Sequence, residues 1–352
     1  MKLFTPLRLR GIEFKNRIAV SPMCEYSAQE GRPGTWHLVH LGSRAVGGAA
    51  LVMSEATAVQ AIGRISPGDT GLYLDSQAEA WRPIVEFIHA QGALAGIQLA
   101  HAGRKGSTSA PWLGGAPIAL KDGGWIPVAP SALAFDAGYP LPRELSVAEI
   151  DQIVADFQSA AQRAIRAEFD VVEIHGAHGY LLHEFASPLS NKRADEYGGG
   201  FENRIRLGLR VAKAVREVWP EEQPVFVRIS ATDWKEGGWD LQQSIEFSRR
   251  LKGAGVDLID VSSGGTVPGV QIPVGPGFQV GFAAAIRREA GVAAGTVGMI
   301  SDSAQAETIL RTDQADMVFL ARELLRDPYW PRRAAQELGV KIKAPVQYER
   351  AW

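Results

Sequence analysis

The sequence predicts an α/β protein that folds as a TIM (β/α)8 barrel in a single domain. Eight short apolar runs alternate with longer stretches of helical periodicity, which is the pattern of repeated βα units. Each run is continuously apolar, as expected of parallel strands that are buried on both faces. The length of 352 residues lies within the range of one such barrel.

The predicted strands follow one another along the chain. They comprise residues 18–22, 50–55, 94–100, 171–176, 225–230, 258–263, 296–300 and 317–322. Helices are predicted for residues 147–167, 202–218 and 241–254, and Ser146 followed by Glu149 has the spacing of a capping box. No linker divides the chain, so we expect one domain over residues 1–352.

The connection after the third strand is unusually long. Residues 103–143 are rich in Gly, Pro, Trp and Ala and exceed the length of an ordinary βα loop. Long loops on a rigid scaffold commonly carry function. We therefore expect a lid over the barrel mouth, in which Trp112 and Trp125 restrict the size of the substrate.

Composition and charge argue against several other classes of protein. The formal net charge is −2, with Lys and Arg scattered among Asp and Glu, so we expect no surface for nucleic acid or anionic lipid. The single cysteine, Cys24, excludes an intrachain disulfide framework and a cysteine-ligated zinc or iron–sulfur site. Arg8 and Arg10 fall where a signal peptide needs apolar residues, and no run of about 18 apolar residues follows. We expect a cytoplasmic protein that binds no membrane.

The most informative segment directly follows the fourth predicted strand. It places His175, His178 and Tyr180 at the carboxyl end of that strand. In a parallel barrel this end carries the catalytic residues. Two imidazoles and a phenol are costly to bury without partners, which favours a catalytic site over a pair of core histidines with satisfied hydrogen bonds.

Polar residues fall at the ends of the other strands as well, and all map to the same rim. Glu55 and Arg228 have the alternative interpretation of a buried ion pair, and Cys24 that of a small hydrophobic residue. A barrel core needs no ring of amide, imidazole, thiol and guanidinium groups, so the whole set predicts an active site. Its further members are Cys24, Glu55, Gln98, His101, Arg104, Arg228, Ser262, Ser263, Gly264, Gly298 within the seventh strand, and Arg322.

Glycine and serine residues follow the last three strands. Backbone N–H groups in such turns, together with a helix N-terminus, hold anions, so we expect a phosphorylated cofactor or substrate here. The sequence has neither a G-x-G-x-x-G segment after a strand nor a G-x-x-x-x-G-K-[ST] segment, so a Rossmann site and a P-loop are not supported. The residues by themselves leave the identity of the ligand open.

A metal-dependent barrel hydrolase is the main alternative. Its ligands would come from His101, His175, His178 and His183. The carboxylate that would complete a usual site of this kind is not obvious, and we expect no metal.

Several long motifs resemble the old yellow enzyme family, and the resemblance extends from Leu3 to Trp352. A cysteine on the first strand is similar to the YqjM-like, or thermophilic-like, branch of ene-reductases. The segments that carry the resemblance are SPMCEY at 21–26, EATAV at 55–59, GIQLAHAGRK at 96–105, HGAHGY at 175–180, SPLSNKR at 187–193, DEYGG at 195–199 and QYER at 347–350.

The resemblance implies an enzyme that binds FMN non-covalently in the barrel mouth and takes hydride from NADPH or NADH. Hydride would pass from flavin N5 to the β-carbon of an α,β-unsaturated carbonyl compound. His175 and His178 would donate hydrogen bonds to the carbonyl oxygen, where negative charge develops. Tyr180 would protonate the α-carbon. Cys24 would lie near flavin N5 and O4 and tune the redox potential, and Tyr26 would border the substrate pocket.

The resemblance also implies which residues hold FMN. Gln98 would bond to the pyrimidine edge of the flavin, and Arg228 would offset the negative charge of the reduced ring. Arg322 would bind the phosphate beside Ala321, where family members commonly have glycine, and the added methyl group is harmless if Ala321 keeps a negative φ. The full cofactor set is Ser21, Pro22, Met23, Cys24, Ala56, Gln98, Arg228, Ser263, Gly298, Ala321 and Arg322.

The C-terminal tail, residues 345–352, is implied to reach a neighbouring subunit, with Arg350 as an arginine finger in that subunit's active site. This predicts a homodimer or homotetramer. The alternative is a solvated tail, but Tyr348 and Trp352 are poor choices for a disordered end.

The implied substrates are enones, enals, maleimides and nitro compounds. A flavin-binding protein without activity is disfavoured, because flavin binding alone would not require the two histidines and Tyr180.

Overall fold

Eight parallel strands close into a barrel, as the sequence predicts. The computed structural model describes residues 1–351, so the expectation for Trp352 lies outside the described residues. In chain order the strands are β1 (Leu7–Leu9), β2 (Ile12–Phe14), β3 (Ile18–Val20), β4 (Leu51–Ala58), β5 (Leu94–Ala100), β6 (Val128–Ala129), β7 (Arg143–Glu144), β8 (Val171–Gly176), β9 (Val225–Ser230), β10 (Leu258–Ser262), β11 (Ala293–Thr296) and β12 (Met317–Leu320).

The barrel order is β3-β4-β5-β8-β9-β10-β11-β12, and β12 pairs with β3 to close the ring. A short antiparallel hairpin of β1 and β2 precedes it. The predicted end of the second barrel strand at residue 55 is wrong, because β4 continues to Ala58 beyond a shift in its register with β5.

Helices connect the strands on the outside of the barrel. They are α1 (Thr35–Val46), α2 (Asp75–Ala90), α3 (Val147–Arg166), α4 (Leu181–Ala186), α5 (Phe201–Val218), α6 (Leu241–Gly253), α7 (Val280–Ala290), α8 (Ser303–Arg311), α9 (Arg322–Arg326) and α10 (Trp330–Glu337). The capping box of α3 is confirmed, because the Ser146 hydroxyl accepts from the Glu149 N–H at 3.3 Å while Glu149 Oε2 accepts from the Ser146 N–H at 2.9 Å. None of the helices in the described part of the chain has the length and apolar character that a membrane span requires.

The interior of the barrel is built in layers, because alternate residues of each strand point inward. Phe14 closes the lower end, and its ring centroid lies 6.2 Å from that of Phe226. Above this layer, Glu173, Arg228 and Asp260 continue the inward face of their strands, and the upper interior is therefore polar. The lower layer is apolar and contains Ala19, Leu51, Met53, Val171, Phe226, Leu258, Met317 and Phe319.

The predicted seventh strand, residues 296–300, is wrong in position, since β11 occupies Ala293–Thr296. Gly298 lies in the turn after the strand, where its φ of 123° interrupts the extended backbone. The observed strand is rich in small residues because the barrel interior has no room for larger side chains at these positions. A Cβ on Gly295, for example, would lie 2.3 Å from Phe319 Cε2.

The long connection after β5 forms a structured lid beside the barrel mouth. Its backbone makes short 3-10 turns and the strand pair β6 and β7. Trp112 is 66% exposed, and its ring meets that of Tyr26 edge to face at 5.7 Å. The Trp125 indole N–H donates to the Ile62 carbonyl at 2.9 Å. The predicted lid is thus present and reaches the rim through Trp112.

Candidate active site

The segment after β8 brings three rings together at the barrel mouth. The His175 ring centroid lies 5.2 Å from that of His178 and 5.1 Å from that of Tyr180, both edge to face. His178 has a left-handed backbone with a φ of 58°. Its N–H donates to Ser230 Oγ at 2.9 Å, and its Nε2 shares a hydrogen bond with Ser262 Oγ at 2.7 Å. Neighbouring strands therefore fix the strained turn that presents the second imidazole.

Burial decides the protonation of these three groups. Desolvation lowers the pKa of His175 and that of His178 well below the usual range, and the Arg228 guanidinium lowers both further. Burial also raises the pKa of Tyr180 well above its ordinary value. At neutral pH the site holds two neutral imidazoles and a protonated phenol, each of which has a proton to donate.

Lys105 belongs to the same cluster, although the sequence analysis did not single it out as a site residue. Its Nζ donates to the His178 carbonyl at 2.9 Å and to the Gly265 carbonyl at 3.2 Å. The same atom lies 5.1 Å from the ring centroid of Tyr180 and 4.6 Å from that of Phe135. Burial lowers the pKa of Lys105 to about 8. The only sequence signal was its place at the end of the motif 96–105.

Cys24 and Tyr26 lie in the loop after β3, on the same rim. Burial raises the pKa of the Cys24 thiol, and the negative charges of Asp69 and Glu55 raise it further, so the thiol stays protonated. Burial raises the pKa of Tyr26 as well, with the Cys24 sulfur beside it. Trp112 covers Tyr26 from the lid. The thiol and the phenol on this side of the rim are therefore both protonated.

A polar layer below the rim consists of Gln98, Glu173, Arg228 and Asp260, one residue from each of β5, β8, β9 and β10. Gln98 Nε2 donates to Glu173 Oε1 at 2.7 Å, and Arg228 Nε lies 3.1 Å from Asp260 Oδ2. The sequence analysis identified the amide and the guanidinium and missed both carboxylates. An acidic residue in the middle of an apolar strand was the available signal.

The alternative of a Glu55–Arg228 ion pair is wrong. Glu55 Oε1 shares a hydrogen bond with His37 Nε2 at 2.8 Å, and Glu55 Oε2 accepts from the Glu25 N–H at 2.9 Å. Arg228 pairs with Asp260 instead. The two groups occupy different sides of the barrel because β4 and β9 are not neighbours in its strand order.

A cavity of about 210 Å³ opens between the ends of β11 and β12, lined in part by Gly298, Ala321 and Arg322. Gly298 has a φ of 123°, and a Cβ there would lie 2.8 Å from Gln279 Nε2. Ala321 has a φ of −104°, so the position does not need the left-handed backbone that favours glycine. Ser263 Oγ donates to Gln279 Oε1 at 2.6 Å. Gly298, Ala321 and Arg322, which are expected around a phosphate, therefore line one cavity. Ser263 is connected to this cavity through Gln279, which also donates to the Val297 carbonyl.

The first and second barrel strands contribute the rest of the predicted set. The Ser21 N–H donates to the Leu320 carbonyl at 2.9 Å and ties β3 to β12, while Ser21 Oγ is buried without a partner among residues 1–351. Pro22 and Met23 follow on the partly exposed rim, and Ala56 is buried in β4. The predicted cofactor residues thus surround the mouth at the carboxyl ends of the strands.

The four histidines proposed as metal ligands do not form a metal site. His101 Nε2 bonds to Gln60 Oε1 at 3.1 Å, and His183 Nε2 lies 3.0 Å from Asp233 Oδ1. No group of three or more His, Cys, Asp or Glu residues in the described part of the chain could hold a metal ion. The geometry therefore gives the hydrolase alternative no support.

The tail carries Arg350 on the surface. Val346–Tyr348 forms one 3-10 turn, and Arg350 is exposed. Within residues 1–351 it makes no hydrogen bond or ion pair with a site residue of its own chain. The role of Arg350 in a neighbouring subunit remains a prediction.

The fold and the rim define a barrel enzyme whose proton-donating groups meet at the carboxyl ends of the strands. The sequence model of the NADH:flavin oxidoreductase / NADH oxidase family matches residues 2–340, and the chain belongs to this family. It is an FMN-dependent NAD(P)H oxidoreductase of the old yellow enzyme type. The resemblance in the sequence motifs is thereby confirmed.

The relatives are similar over almost the whole chain. A protein of Geobacillus sp. (strain WCH70) named NADPH dehydrogenase is 50% identical over 352 residues, covering 99% of this chain and 98% of the relative. One of Bacillus licheniformis with the same name is 49% identical, covering 100% and 99%. Among solved structures, morphinone reductase in complex with tetrahydroNAD has a TM-score of 0.80 at 30% identity, covering 99% of this chain and 94% of that chain. The old yellow enzyme homologue from Zymomonas mobilis has a TM-score of 0.80 at 29% identity, with coverage of 99% and 96%.

The residues of the mouth fit the cofactor of the family. Ser21 Oγ and His175 Nδ1 are buried and have no hydrogen-bond partner in the described residues, so both are free to meet a bound group. The cavity is lined by the cationic side chain of Arg322 and by the backbone of Gly298, which has no side chain. These features match a ring with polar edges that carries a phosphate.

Proposed function

We propose that this enzyme is an ene-reductase, which reduces the activated C=C bond of α,β-unsaturated carbonyl compounds and related nitro compounds. The cluster of His175, His178 and Tyr180 carries the proposal, because it gathers three neutral proton donors at the mouth, of which His175 is buried and the other two are half-buried. FMN bound at this mouth would supply the hydride chemistry between NAD(P)H and the β-carbon of the substrate. The name NADPH dehydrogenase of the relatives supports NADPH as the donor.

His175 and His178 would hold the carbonyl or nitro oxygen of the substrate. Reduction at the β-carbon moves negative charge onto this oxygen, and fixed N–H donors in a site without water stabilise that charge. Both imidazoles are neutral, so each would donate one N–H without a prior change of protonation. The hydrogen bond that the His178 N–H donates to Ser230 Oγ and the one that its ring shares with Ser262 Oγ hold His178 in place before the substrate arrives.

Tyr180 would donate the proton that completes the reduction at the α-carbon. Its raised pKa keeps the phenol protonated until the substrate carbanion forms. The ammonium group of Lys105, 5.1 Å from the ring centroid, would stabilise the phenolate left behind. The same contact holds the ring in position.

The residues at the strand ends would hold the cofactor. Gln98 and Arg228 would bind its ring from the polar layer, and the cavity at β11 and β12 would take its phosphate. The residues assigned to these contacts are Ser21, Pro22, Met23, Cys24, Ala56, Gln98, Arg228, Ser263, Gly298, Ala321 and Arg322.

A second copy of the chain would complete the substrate pocket. Arg350 of that copy would enter the mouth near Tyr26, which makes the active form a homodimer or homotetramer. The exposed position of Arg350 supports this arrangement, since its guanidinium group is available to a neighbour.

An anaerobic titration tests the proposed function. The visible flavin band of the purified enzyme is followed while NADPH and then cyclohexenone are added. We expect the band to bleach with NADPH and to return with cyclohexenone, and not with the saturated ketone cyclohexanone. A band that bleaches but does not return with any enone, enal or nitroalkene would refute ene-reduction. A protein that takes up no FMN would refute the cofactor assignment.

A further inference from the structure

The polar layer of Gln98, Glu173, Arg228 and Asp260 contains two carboxylates and a single cation. All four residues are buried, with at most 5% of their surface exposed. They come from four consecutive strands of the barrel, where Gln98 lies opposite Glu173 and Arg228 lies opposite Asp260. Two ionised carboxylates would leave this layer with a net charge of −1 in a medium of low dielectric constant.

The hydrogen bonds of the layer do not compensate two charges. Glu173 Oε1 accepts from the Gln98 amide, but Glu173 Oε2 has no partner among the described residues. Asp260 Oδ2 lies 3.1 Å from Arg228 Nε, yet neither Asp260 oxygen receives a well-directed hydrogen bond. The Thr296 hydroxyl from β11 is also buried without a partner. An ionised carboxylate in this position would lack the donors that buried charges require.

One proton shared by the two carboxylates removes this difficulty. Like-charged groups at close range in the interior bind a proton jointly, because ionising the second one is costly. Burial raises the pKa of Glu173, and the negative charge of Asp260 raises it further against the opposing effect of Arg228. Burial also raises the pKa of Asp260, which Arg228 opposes. Because Asp260 has the cation beside it and Glu173 has only an amide, the proton belongs on Glu173.

We propose that Glu173 and Asp260 share one proton in the resting enzyme, and that this proton allows the Gln98 amide to take either orientation toward the cofactor. With this proton the layer is neutral, as Arg228 balances one carboxylate. The proton also decides how Gln98 is held. An ionised Glu173 accepts only, which keeps the Gln98 NH2 group turned inward, whereas a protonated Glu173 also donates and permits either orientation of the amide. The inference rests on the FMN site at this mouth and is independent of ene-reduction.

Infrared difference spectroscopy of the FMN-loaded enzyme tests the proposal directly, because a protonated carboxyl group has a C=O stretching band that a carboxylate lacks. We compare wild type with Glu173→Gln, Asp260→Asn and the double variant. A shared proton predicts that each single variant loses the same one band and that the double variant loses no more. This readout concerns protonation and does not depend on turnover.

The other outcomes overturn the proposal. If neither single variant loses a band, both groups are ionised, and if the double variant loses two bands, both are protonated independently. Glu184→Gln is the matched control, since this carboxyl is also buried with a raised pKa but lies on α4 outside the layer, so the variant should lose a different band. Exposed Glu202→Gln should lose none.

Two further measurements guard against a disturbed fold. Glu173→Asp keeps the carboxyl group and is expected to retain the band that Glu173→Gln loses. The wild-type enzyme needs no substitution at all, and the absence of any protonated carboxyl band at neutral pH would by itself overturn the proposal.

Discussion

Single residues at the mouth depend on burial to remain neutral at the pH where the enzyme works. The two imidazoles lose their ordinary tendency to ionise, and the phenol and thiol beside them keep their protons. Each group then keeps one proton that it can donate at neutral pH. Changes that remove such a proton while preserving shape separate chemistry from packing.

Tyr180→Phe removes the phenolic proton and keeps the ring. We expect reoxidation of the enzyme by cyclohexenone to slow by about 10²-fold, at the lower end of what a positioned general acid contributes, because water can replace the phenol. Reduction by NADPH should change little. Stopped-flow measurement of the two half-reactions checks this prediction.

Tyr26→Phe is the matched control, because it removes a second phenol from the same rim without touching the histidine pair. Because Tyr26 borders the proposed substrate pocket, this variant should change the affinity for cyclohexenone and leave the limiting rates of both half-reactions near those of the wild type. If Tyr180→Phe slowed both half-reactions equally, Tyr180 would support the site structurally and would not be its proton donor.

Lys105→Met keeps the length of the side chain and removes its charge. The His178 and Gly265 carbonyls lose their donor, and the Tyr180 phenolate loses its cation. We expect the enone half-reaction to slow by about tenfold, which corresponds to about 1.4 kcal/mol. Lys105→Arg, which keeps the charge, should recover part of the rate.

The pH profile distinguishes the charge of Lys105 from its packing. The pKa of Lys105 is about 8, so the ammonium form exists below this pH and disappears above it. The wild-type enone half-reaction should therefore fall as pH rises through about 8, and Lys105→Met should show no such step. An identical step in both proteins would assign it to another group.

At the scale of elements, Trp112 is the lid residue whose ring contacts Tyr26 at the rim, while Phe135 of the same lid packs against Lys105. Trp112→Ala should open the pocket next to Tyr26 and raise kcat/KM for bulky substituted enones relative to cyclohexenone. Trp125→Ala is the control, because the Trp125 indole bonds to the Ile62 carbonyl and it is the Trp112 ring that packs on Tyr26. Equal changes in both variants would indicate general loosening of the lid.

The elements themselves were largely predictable from sequence, and the exceptions have a physical cause. Apolar runs located seven barrel strands near their observed places, since a strand buried on both faces must be apolar. The seventh was misplaced because Phe319 of the neighbouring strand β12 leaves no room for a side chain at Gly295, which is a tertiary constraint. The turn that follows β11 contains larger apolar residues than the strand itself, so its sequence pattern resembles that of a buried strand.

Over the whole molecule, the contacts on the inner face of the barrel were the part of the structure that could not be predicted from the sequence. The motifs located the rim residues because they lie near strand ends, where polar groups stand out. Glu173 and Asp260 lie inside strands, and their partners come from strands distant in sequence, so only the closed barrel shows that they meet Gln98 and Arg228. The partner of Glu55 was missed for the same reason.

Buried neutral histidines also affect the stability of the whole molecule. His101 is 1% exposed, and burial lowers its pKa to about 4. In the unfolded chain its pKa is about 6.5. Between about pH 4 and 6.5 the unfolded state therefore binds a proton at this residue that the native state does not, and the free energy of unfolding must rise with pH in this window.

His101→Gln tests this linkage, because it removes the titrating group and keeps a polar side chain that can bond to Gln60. We expect the wild-type free energy of unfolding, from urea titrations at several pH values, to gain up to about 1.4 kcal/mol per pH unit more than that of the variant across this window. Above about pH 6.5 the two curves should run parallel, since both states then carry a neutral residue. Other titrating groups contribute equally to both proteins and cancel in the difference. Parallel curves below pH 6.5 would mean that His101 ionises in the native state, which would require the barrel to admit water at the end of β5.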